Sequence, residues 1–346
     1  MKMFRFRKAS IRKALTAIGM GITLVLTGCA GAPSMFAPES TNAQIIYNLT
    51  IIIFVIAAIV FVGVEGTLLY FMFRYRRKGP VTGLPNQIEG NNRLEIAWTA
   101  LPAIVLAIVF FFSTKALFQL SYLPNSQNTS SGSDPIHVRV IGHQWWWEFD
   151  YPDLKIVTSD VLHVPVNTVI NIDVESVDVI HSYWVPQLNG KMDAIPGHDN
   201  KTWFEANTPG TYHGQCAEYC GNQHAGMRME IIAETPEQFQ AWVKQQQTAP
   251  AVPSGLAAQG QQDFLNGACI GCHTIDGTKA QGKVGPNLTH FGSREYFSGA
   301  ILPNTPENVA KWLQDPQALK PGNLMPNLHL SQDQINALVA FLESLK

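Results

Sequence analysis

Twelve consecutive residues, Cys216-Ala-Glu-Tyr-Cys220-Gly-Asn-Gln-His224-Ala-Gly-Met227, put two thiols, an imidazole and a thioether within reach of one loop. Soft sulfur donors joined by a nitrogen donor favour copper over hard cations. Zinc sites rarely use Met, and rarely space two cysteines four apart without a second cysteine pair. Thiolates at this spacing suit the bridging of two copper ions, with His224 and Met227 as terminal ligands, and two coppers need a second imidazole. His181, in Asp178-Val-Ile-His-Ser-Tyr-Trp-Val-Pro186, ends an apolar β-run and is the best candidate. Alone it would read as a satisfied core histidine; the adjacent loop reverses that reading.

A second motif stands near the C-terminus. Cys269-Ile-Gly-Cys272-His273 is the Cys-x-x-Cys-His run that attaches a c-type haem through two thioethers and supplies its proximal ligand. The sixth ligand must come from downstream, and Met325, in Pro321-Gly-Asn-Leu-Met-Pro326, is the only methionine after His273. Thioether ligation raises a haem potential, which suits a carrier; His290 and His329 are the rivals. One chain would therefore hold two electron-transfer centres. The remaining cysteine, Cys29, also sits in a motif, so none of the five is left over for a structural disulfide.

The elements that must position these groups follow from the hydropathy pattern. The chain has 346 residues, 46% hydrophobic and 14% charged, with a net charge of −2, and its apolar residues gather in three early runs. Lys2, Arg5, Arg7, Lys8, Arg12 and Lys13 precede an apolar stretch from Ala14 to Thr27, too short to span a bilayer, which reads as a secretory signal. Leu26-Thr27-Gly28-Cys29 resembles a bacterial lipoprotein cleavage box that would leave Cys29 lipidated. Ile45 to Phe73 and Ile96 to Leu120 each suffice for a spanning helix. Between them Arg74, Arg76, Arg77, Lys78 and Arg93 face only Glu89 and Glu95, so the loop belongs in the cytoplasm and both ends outside.

After a Pro/Asn/Ser-rich linker the pattern turns to short alternating runs, including 137–141, 161–164, 169–174 and 229–232, which predict an all-β sandwich of about a hundred residues. This region carries 5 basic against 13 acidic residues, a balance that would attract a basic partner. A helix from Pro236 to Gln247 and a stiff linker, 248–255, lead to a helical C-terminal region with helices at 256–266 and 332–345.

Asp178-Val-Ile-His181-Ser, Lys191-Met-Asp-Ala-Ile-Pro-Gly197, Gly142-His-Gln-Trp-Trp-Trp147 and the Cys216 to Met227 loop together resemble subunit II of the haem-copper cytochrome c oxidases over about residues 45 to 235. The final ninety residues, with Gly285-Pro-Asn-Leu288 and the Pro-flanked Met325, are similar to class I cytochromes c, the pairing found in caa-type oxidases. The resemblance implies a multidomain membrane protein: a two-helix transmembrane hairpin, an all-β cupredoxin-like sandwich and an all-α class I cytochrome c domain. Its segments would be a lipoprotein signal peptide 1–28, an exported segment 29–44, spans 45–73 and 96–120 around a cytoplasmic loop 74–95, and a linker 121–134. The copper A domain would be 135–235, the helix and Pro-rich linker 236–255, and the haem domain 256–346.

By that resemblance the copper A ligands are His181, Cys216, Cys220, His224, Met227 and the carbonyl of Glu218. The Glu218 side chain would help hold magnesium or manganese at the boundary with the catalytic subunit, a hard oxygen ligand for a hard cation, and Asp193 has a weaker claim to that ion. Trp145 would be the point where electrons enter the copper domain, although Trp146 stands where the family more often has Tyr. Glu95, in Glu95-Ile-Ala-Trp98, would lie at the mouth of a proton path. The implied partners are the catalytic subunit I, subunit III, membrane lipid and a soluble cytochrome c or blue-copper donor, with no nucleic acid. The chain would sit in the bacterial plasma membrane with its copper and haem domains on the outer face, feeding electrons to a partner that reduces oxygen. The alternatives are a free-standing membrane-tethered carrier and the copper A subunit of a nitric oxide reductase. Glu65, deep in the first span between Gly63 and Gly66, implies a face packed on another subunit.

Overall fold

The computed structural model describes residues 33–76, 79, 83, 87, 89–124 and 134–346. The signal segment 1–28, Cys29, part of the basic loop including Arg77 and Lys78, and most of the linker 121–134 lie outside the described residues.

Two long helices begin the described chain, α1 (Thr41–Arg74) and α2 (Asn92–Ser121). Each extends beyond the expected span. At 1.5 Å per residue α1 is ~50 Å long, well past the ~30 Å of hydrocarbon it must cross, and its extra turn is used to grip the β domain. Ser40 caps α1 by accepting from Ala43 N (3.0 Å), and its hydroxyl donates to Leu188 O. Asn42 Nδ2 donates to Trp203 O (2.7 Å), and Glu39 N to Gln187 O (2.9 Å). The start of α2 is capped by Asn91, whose side chain accepts from Arg93 N and Leu94 N. Below the junction the apolar side chains of both helices stand exposed, as expected of surfaces that meet lipid or another subunit.

Ten strands form the sandwich. One sheet runs β3 (Ile156–Ser159), β2 (Trp146–Tyr151), β1 (Ile136–His143), β5 (Val169–Ser176), β8 (Asn200–Glu205). The other runs β4 (Val161–Pro165), β10 (Arg228–Glu234), β9 (Gly210–Cys216), β6 (His181–Trp184), β7 (Met192–Ala194). The β1–β5 and β4–β10 ladders are parallel and the others antiparallel. Alternation decides which side chains face inward: on β5, Ile170, Ile172 and Val174 are buried, while Asn171, Asp173 and Glu175 point outward. The core between the sheets is filled by Trp147, Phe149, Tyr183, Phe204 and Ile231, none more than 1% exposed. The outer face of the first sheet carries paired charges, including Arg139 with Asp150 (3.2 Å) and with Glu175.

α3 (Pro236–Gln246) follows β10 and is set by a capping box in which Thr235 accepts from Gln238 N while Gln238 reaches back to Thr235 N. After the linker, the haem domain is built from α4 (Leu256–Asn266), α5 (Pro306–Gln314), α6 (Pro316–Leu319) and α7 (Gln332–Ser344). It adds a small ladder, β11 (Tyr296–Phe297) with β12 (Leu302–Pro303). Its core joins Phe264, Ile275, Leu288, Phe291 and Phe341.

α4 crosses α7 so closely that a Cβ on Gly260 would lie 1.9 Å from Ala337 O, which only glycine allows. Gly260→Ala should therefore destabilise the haem domain by about 1–3 kcal/mol, the usual cost of forcing volume into a packed contact. Denaturant unfolding followed at the haem absorption band measures this, and an unchanged midpoint would refute the tight crossing.

Candidate metal and haem centres

The connection from β9 to β10 carries the sulfur-rich loop. Cys216 ends β9, and its N–H donates to Met227 O (2.9 Å), closing the loop at its base. The Ala217 N–H donates to Ser182 O (2.9 Å), tying the loop to β6, whose first residue is His181. Folding thereby brings together groups that are distant in sequence. The Sγ atoms of Cys216 and Cys220 are 3.8 Å apart, and His181 Nδ1 is 3.9 Å from Cys216 Sγ. His224 Nδ1 lies 3.6 Å and Met227 Sδ 3.9 Å from Cys220 Sγ, while the Glu218 carbonyl is 3.2 Å from Cys216 Sγ. His181 and Met227 are fully buried, and both thiols nearly so.

The electrostatics of this cluster fit a cation. A hydrogen bond from Cys220 draws the Cys216 thiol down, overcoming burial, while the neighbouring Cys216 and burial push the Cys220 thiol up. Two sulfurs this close share the strain of losing their protons, which a bound cation would relieve. For His181, burial opposes protonation, but the Asp178 carboxylate and the Cys216 thiol outweigh it and raise its pKa. His181 Nε2 is 2.8 Å from Asp178 Oδ1. With the proton assigned to that nitrogen, Nδ1 presents its lone pair to the sulfurs. A Cβ on Gly142 would come within 2.7 Å of the His181 ring, so β1 must carry glycine there.

Trp145 lies directly behind the loop: its Nε1–H donates to Cys220 O (2.9 Å), joined by Gln144 Nε2 (2.8 Å). Gly221, at φ +115°, leaves room for this indole, since a Cβ there would lie 2.9 Å from Trp145 Cζ2. Trp145 stands in the turn between β1 and β2, while Trp146 and Trp147, the first two residues of β2, separate as strand alternation requires. Trp147 packs in the core edge-on to His181 and Tyr183, and Trp146 stacks on His143 at 4.0 Å.

In the haem domain a cavity of about 250 Å³ is lined by Cys269, Cys272, His273 and Met325, together with Trp145 and Trp146 of the β domain. His273 Nδ1 is 2.8 Å from Pro286 O, and with its proton there Nε2 is free to face the cavity. Gly285 makes room for the ring, since its Cβ would fall 2.6 Å from His273 Cε1. Met325 Sδ accepts from Trp312 Nε1 (3.1 Å). His290 instead donates from Nε2 to Gln246 O (3.0 Å) and His329 is exposed; neither lines this cavity. The two cysteines, the imidazole and the thioether thus line one apolar cleft, a donor set and shape that fit haem c.

Three family profiles match the chain. "Cytochrome C oxidase subunit II, transmembrane domain" covers residues 34–116, "Cytochrome C oxidase subunit II, periplasmic domain" covers 155–235, and "Cytochrome c" covers 257–346. The cytochrome c oxidase subunit 2 of Alkalihalophilus pseudofirmus is 38% identical over 329 residues, 94% of this chain and 95% of that one. The chain belongs to the cytochrome c oxidase subunit II family. The subunits 2 of Bacillus sp. PS3 (40% identical over 284 residues, 78% of this chain and 79% of that one) and of Bacillus subtilis (34% over 344 residues, 94% and 95%) are similar relatives. As a member, the chain is an electron-input subunit of a haem-copper oxidase, associated with catalytic subunits, with a copper A domain and a cytochrome c domain. It is anchored in the membrane by two helices, with its folded domains on the periplasmic side.

The other candidates of the subunit II pattern stand apart from the cluster. The side chains of Glu218 and Asp193 are exposed, Glu218 at the tip of the copper loop. Glu95 is exposed in the first turn of α2, and Glu65 is exposed midway along α1. Two functional residues escape a reading by motif alone. Asp178 belongs to no ligand motif, but an acid three residues before a candidate ligand histidine is a signal for an orienting partner. Gln144, which shares the Cys220 carbonyl with Trp145, stands inside the motif Gly142-His-Gln-Trp-Trp-Trp147, but its residue type points to no particular role there.

Asp178→Asn keeps the shape and removes the charge that orients His181. Copper affinity should fall about 10–100-fold, the usual effect of losing such a partner, in a titration against a competing chelator. Unaltered affinity would show that His181 is oriented by packing alone.

Proposed function

We propose that the chain takes electrons from a soluble donor at its haem domain, passes them across Trp145 to its copper domain, and delivers them to the catalytic subunit. The observation that carries this order is the shared tryptophan: Trp145 lines the haem cleft on one side and hydrogen-bonds the Cys220 carbonyl on the other. When bound, haem c and the copper pair would each supply a one-electron carrier.

Cys269 and Cys272 would hold the haem covalently, with His273 and Met325 as axial ligands. His181, Cys216, Cys220, His224, Met227 and the Glu218 carbonyl would hold two copper ions. The buried sulfurs keep water away from the centre, and the Asp178 contact holds the imidazole on target, so little reorganises when an electron passes. The exposed Glu218 carboxylate, beside Tyr219 at 73% exposure, faces outward where a catalytic subunit would meet it and complete a magnesium or manganese site. Val177 and Ile180, 62% and 46% exposed next to the His181 strand, would extend the same contact. Glu95 fits a proton-path mouth, and Glu65 fits a face of α1 covered by subunit I or III. Cleavage of the N-terminal signal and lipidation of Cys29 would add a lipid anchor to the two spans in the plasma membrane.

Metal analysis of the purified complex should give two coppers for this chain; a single copper, or zinc under copper-replete conditions, would overturn the bridged assignment. Cys216→Ser should leave haem c reducible by an external donor but block its reoxidation, so that reduced haem accumulates on rapid mixing with oxygen. Reoxidation at the wild-type rate would mean that the copper centre is bypassed.

Met325→Ala should leave the haem attached and lower its potential by roughly a hundred millivolts or more, a fraction of the about 0.8 V that axial ligands span. Redox titration checks this. If His290→Ala or His329→Ala shifts the potential while Met325→Ala does not, the axial assignment is wrong.

A further inference from the structure

The haem domain does not merely hang from its linker; it is plugged into the copper domain. Lys320 follows α6 and is 3% exposed, with all three ammonium protons placed on backbone carbonyls: Trp145 O (2.8 Å), Gly226 O (3.0 Å) and Ser298 O (2.9 Å). The first two acceptors belong to the copper domain and the third to the haem domain's own turn, Ser298-Gly299-Ala300. That turn has three consecutive residues at positive φ, +61°, +78° and +53°. It inserts between the Trp145 segment and the copper loop, where Gly299 N donates to Asp160 Oδ2 (2.8 Å) and Gly299 O accepts from Arg228 N (3.1 Å). The fit leaves no spare volume, because a Cβ on Gly299 would lie 2.4 Å from Gly226 O.

Asp160 completes the arrangement. It is 2% exposed, and while one carboxylate oxygen takes the Gly299 amide, the other takes the Trp147 amide (3.0 Å). Arg294 of the haem domain adds a bond to Ser159 Oγ (2.6 Å), and Gln223 of the copper loop donates to Pro321 O (2.7 Å). Burial drags the Lys320 ammonium down to about 8 against the pull of Asp160, a cost that a group with no interface task would avoid by turning to solvent. Directional bonds to buried charges fix a register that a linker alone, which only raises effective concentration, cannot fix.

We propose that Lys320, with the Ser298–Ala300 turn seated against Asp160, is the positioning residue that locks the haem cleft onto Trp145, so that the docked chain closes this tryptophan to external donors. Trp145 is 7% exposed under this cover. The proposal rests on the transfer order given above.

The test uses the full chain in its oxidase complex, with a protease site inserted within residues 248–255. After cleavage the wild-type haem domain should stay bound through gel filtration, with segments 226–230 and 296–302 protected from hydrogen exchange. Lys320→Met, and separately Gly299→Val, should release it and speed exchange in both segments by about tenfold or more, the factor that one hydrogen bond to a charged group carries. The haem spectrum should stay unchanged, and haem-to-copper transfer should slow by a similar factor. Release of the cleaved wild-type domain, or full retention and protection in Lys320→Met, would overturn the lock. Faster exchange with unslowed transfer would overturn the positioning role. If docking behaves as expected but Cys216→Ser still drains the haem, the lock stands and the transfer order falls.

Discussion

Two thiols 3.8 Å apart in a buried loop resist losing both their protons, and the design of the copper domain turns on that repulsion. Close approach of two thiolates is unfavourable until a cation lies between them, so the loop stores a demand for metal. Its backbone is tied down twice, by Cys216 N to Met227 O and by Ala217 N to Ser182 O, which stops the sulfurs from relaxing apart. His181 and Met227, both fully buried, then have no solvent competitor, and the donor set stays soft and dry.

The same loop serves as a junction because two of its carbonyls, those of Cys220 and Gly226, face away from the sulfurs, while that of Glu218 points at Cys216 Sγ. Cys220 O receives Trp145 and Gln144, and Gly226 O receives Lys320. Side chains and the Glu218 carbonyl therefore define the metal face of the loop, and the Gly226 carbonyl defines its contact with the haem domain. A substitution that alters the second face need not touch the first, so docking and metal binding can vary independently.

Much of this was legible because ligand chemistry is local. The two sulfur-bearing motifs, the pair of long apolar runs and four of the sandwich strands follow from spacing and hydropathy. The strands that escaped notice have specific reasons. The β-run expected to end at His181 is instead β6, which begins there, because residues 177–180 form a bend with exposed apolar side chains; β9 ends at Cys216, where polar residues and a candidate ligand replace the alternating pattern, and β7 is only three residues long. β2 is dominated by aromatic residues that fill both faces, so periodicity is masked. The interdomain contact was not legible at all. Lys320, Asp160 and Gly299 are unremarkable in sequence, and only tertiary folding joins positions up to 175 apart. Burial also reversed the ordinary expectation that a lone lysine beside a Pro-Gly turn is solvated.

The grip of α1 on the sandwich extends the argument from chemistry to placement. A copper domain joined to its spans only by a loop would tilt freely. Here Ser40 and Asn42 spend their side chains on Leu188 O and Trp203 O, and the backbones of Glu39 and Asn207 are joined (2.9 Å), making the first turn of the membrane helix part of the β domain. Since α1 exceeds the hydrocarbon thickness, its rigid excess holds the domain at a set height above the bilayer. The haem domain is fixed to the copper domain by buried polar bonds, and the copper domain to the helix by others. The position of each centre relative to the membrane is thereby inherited from α1.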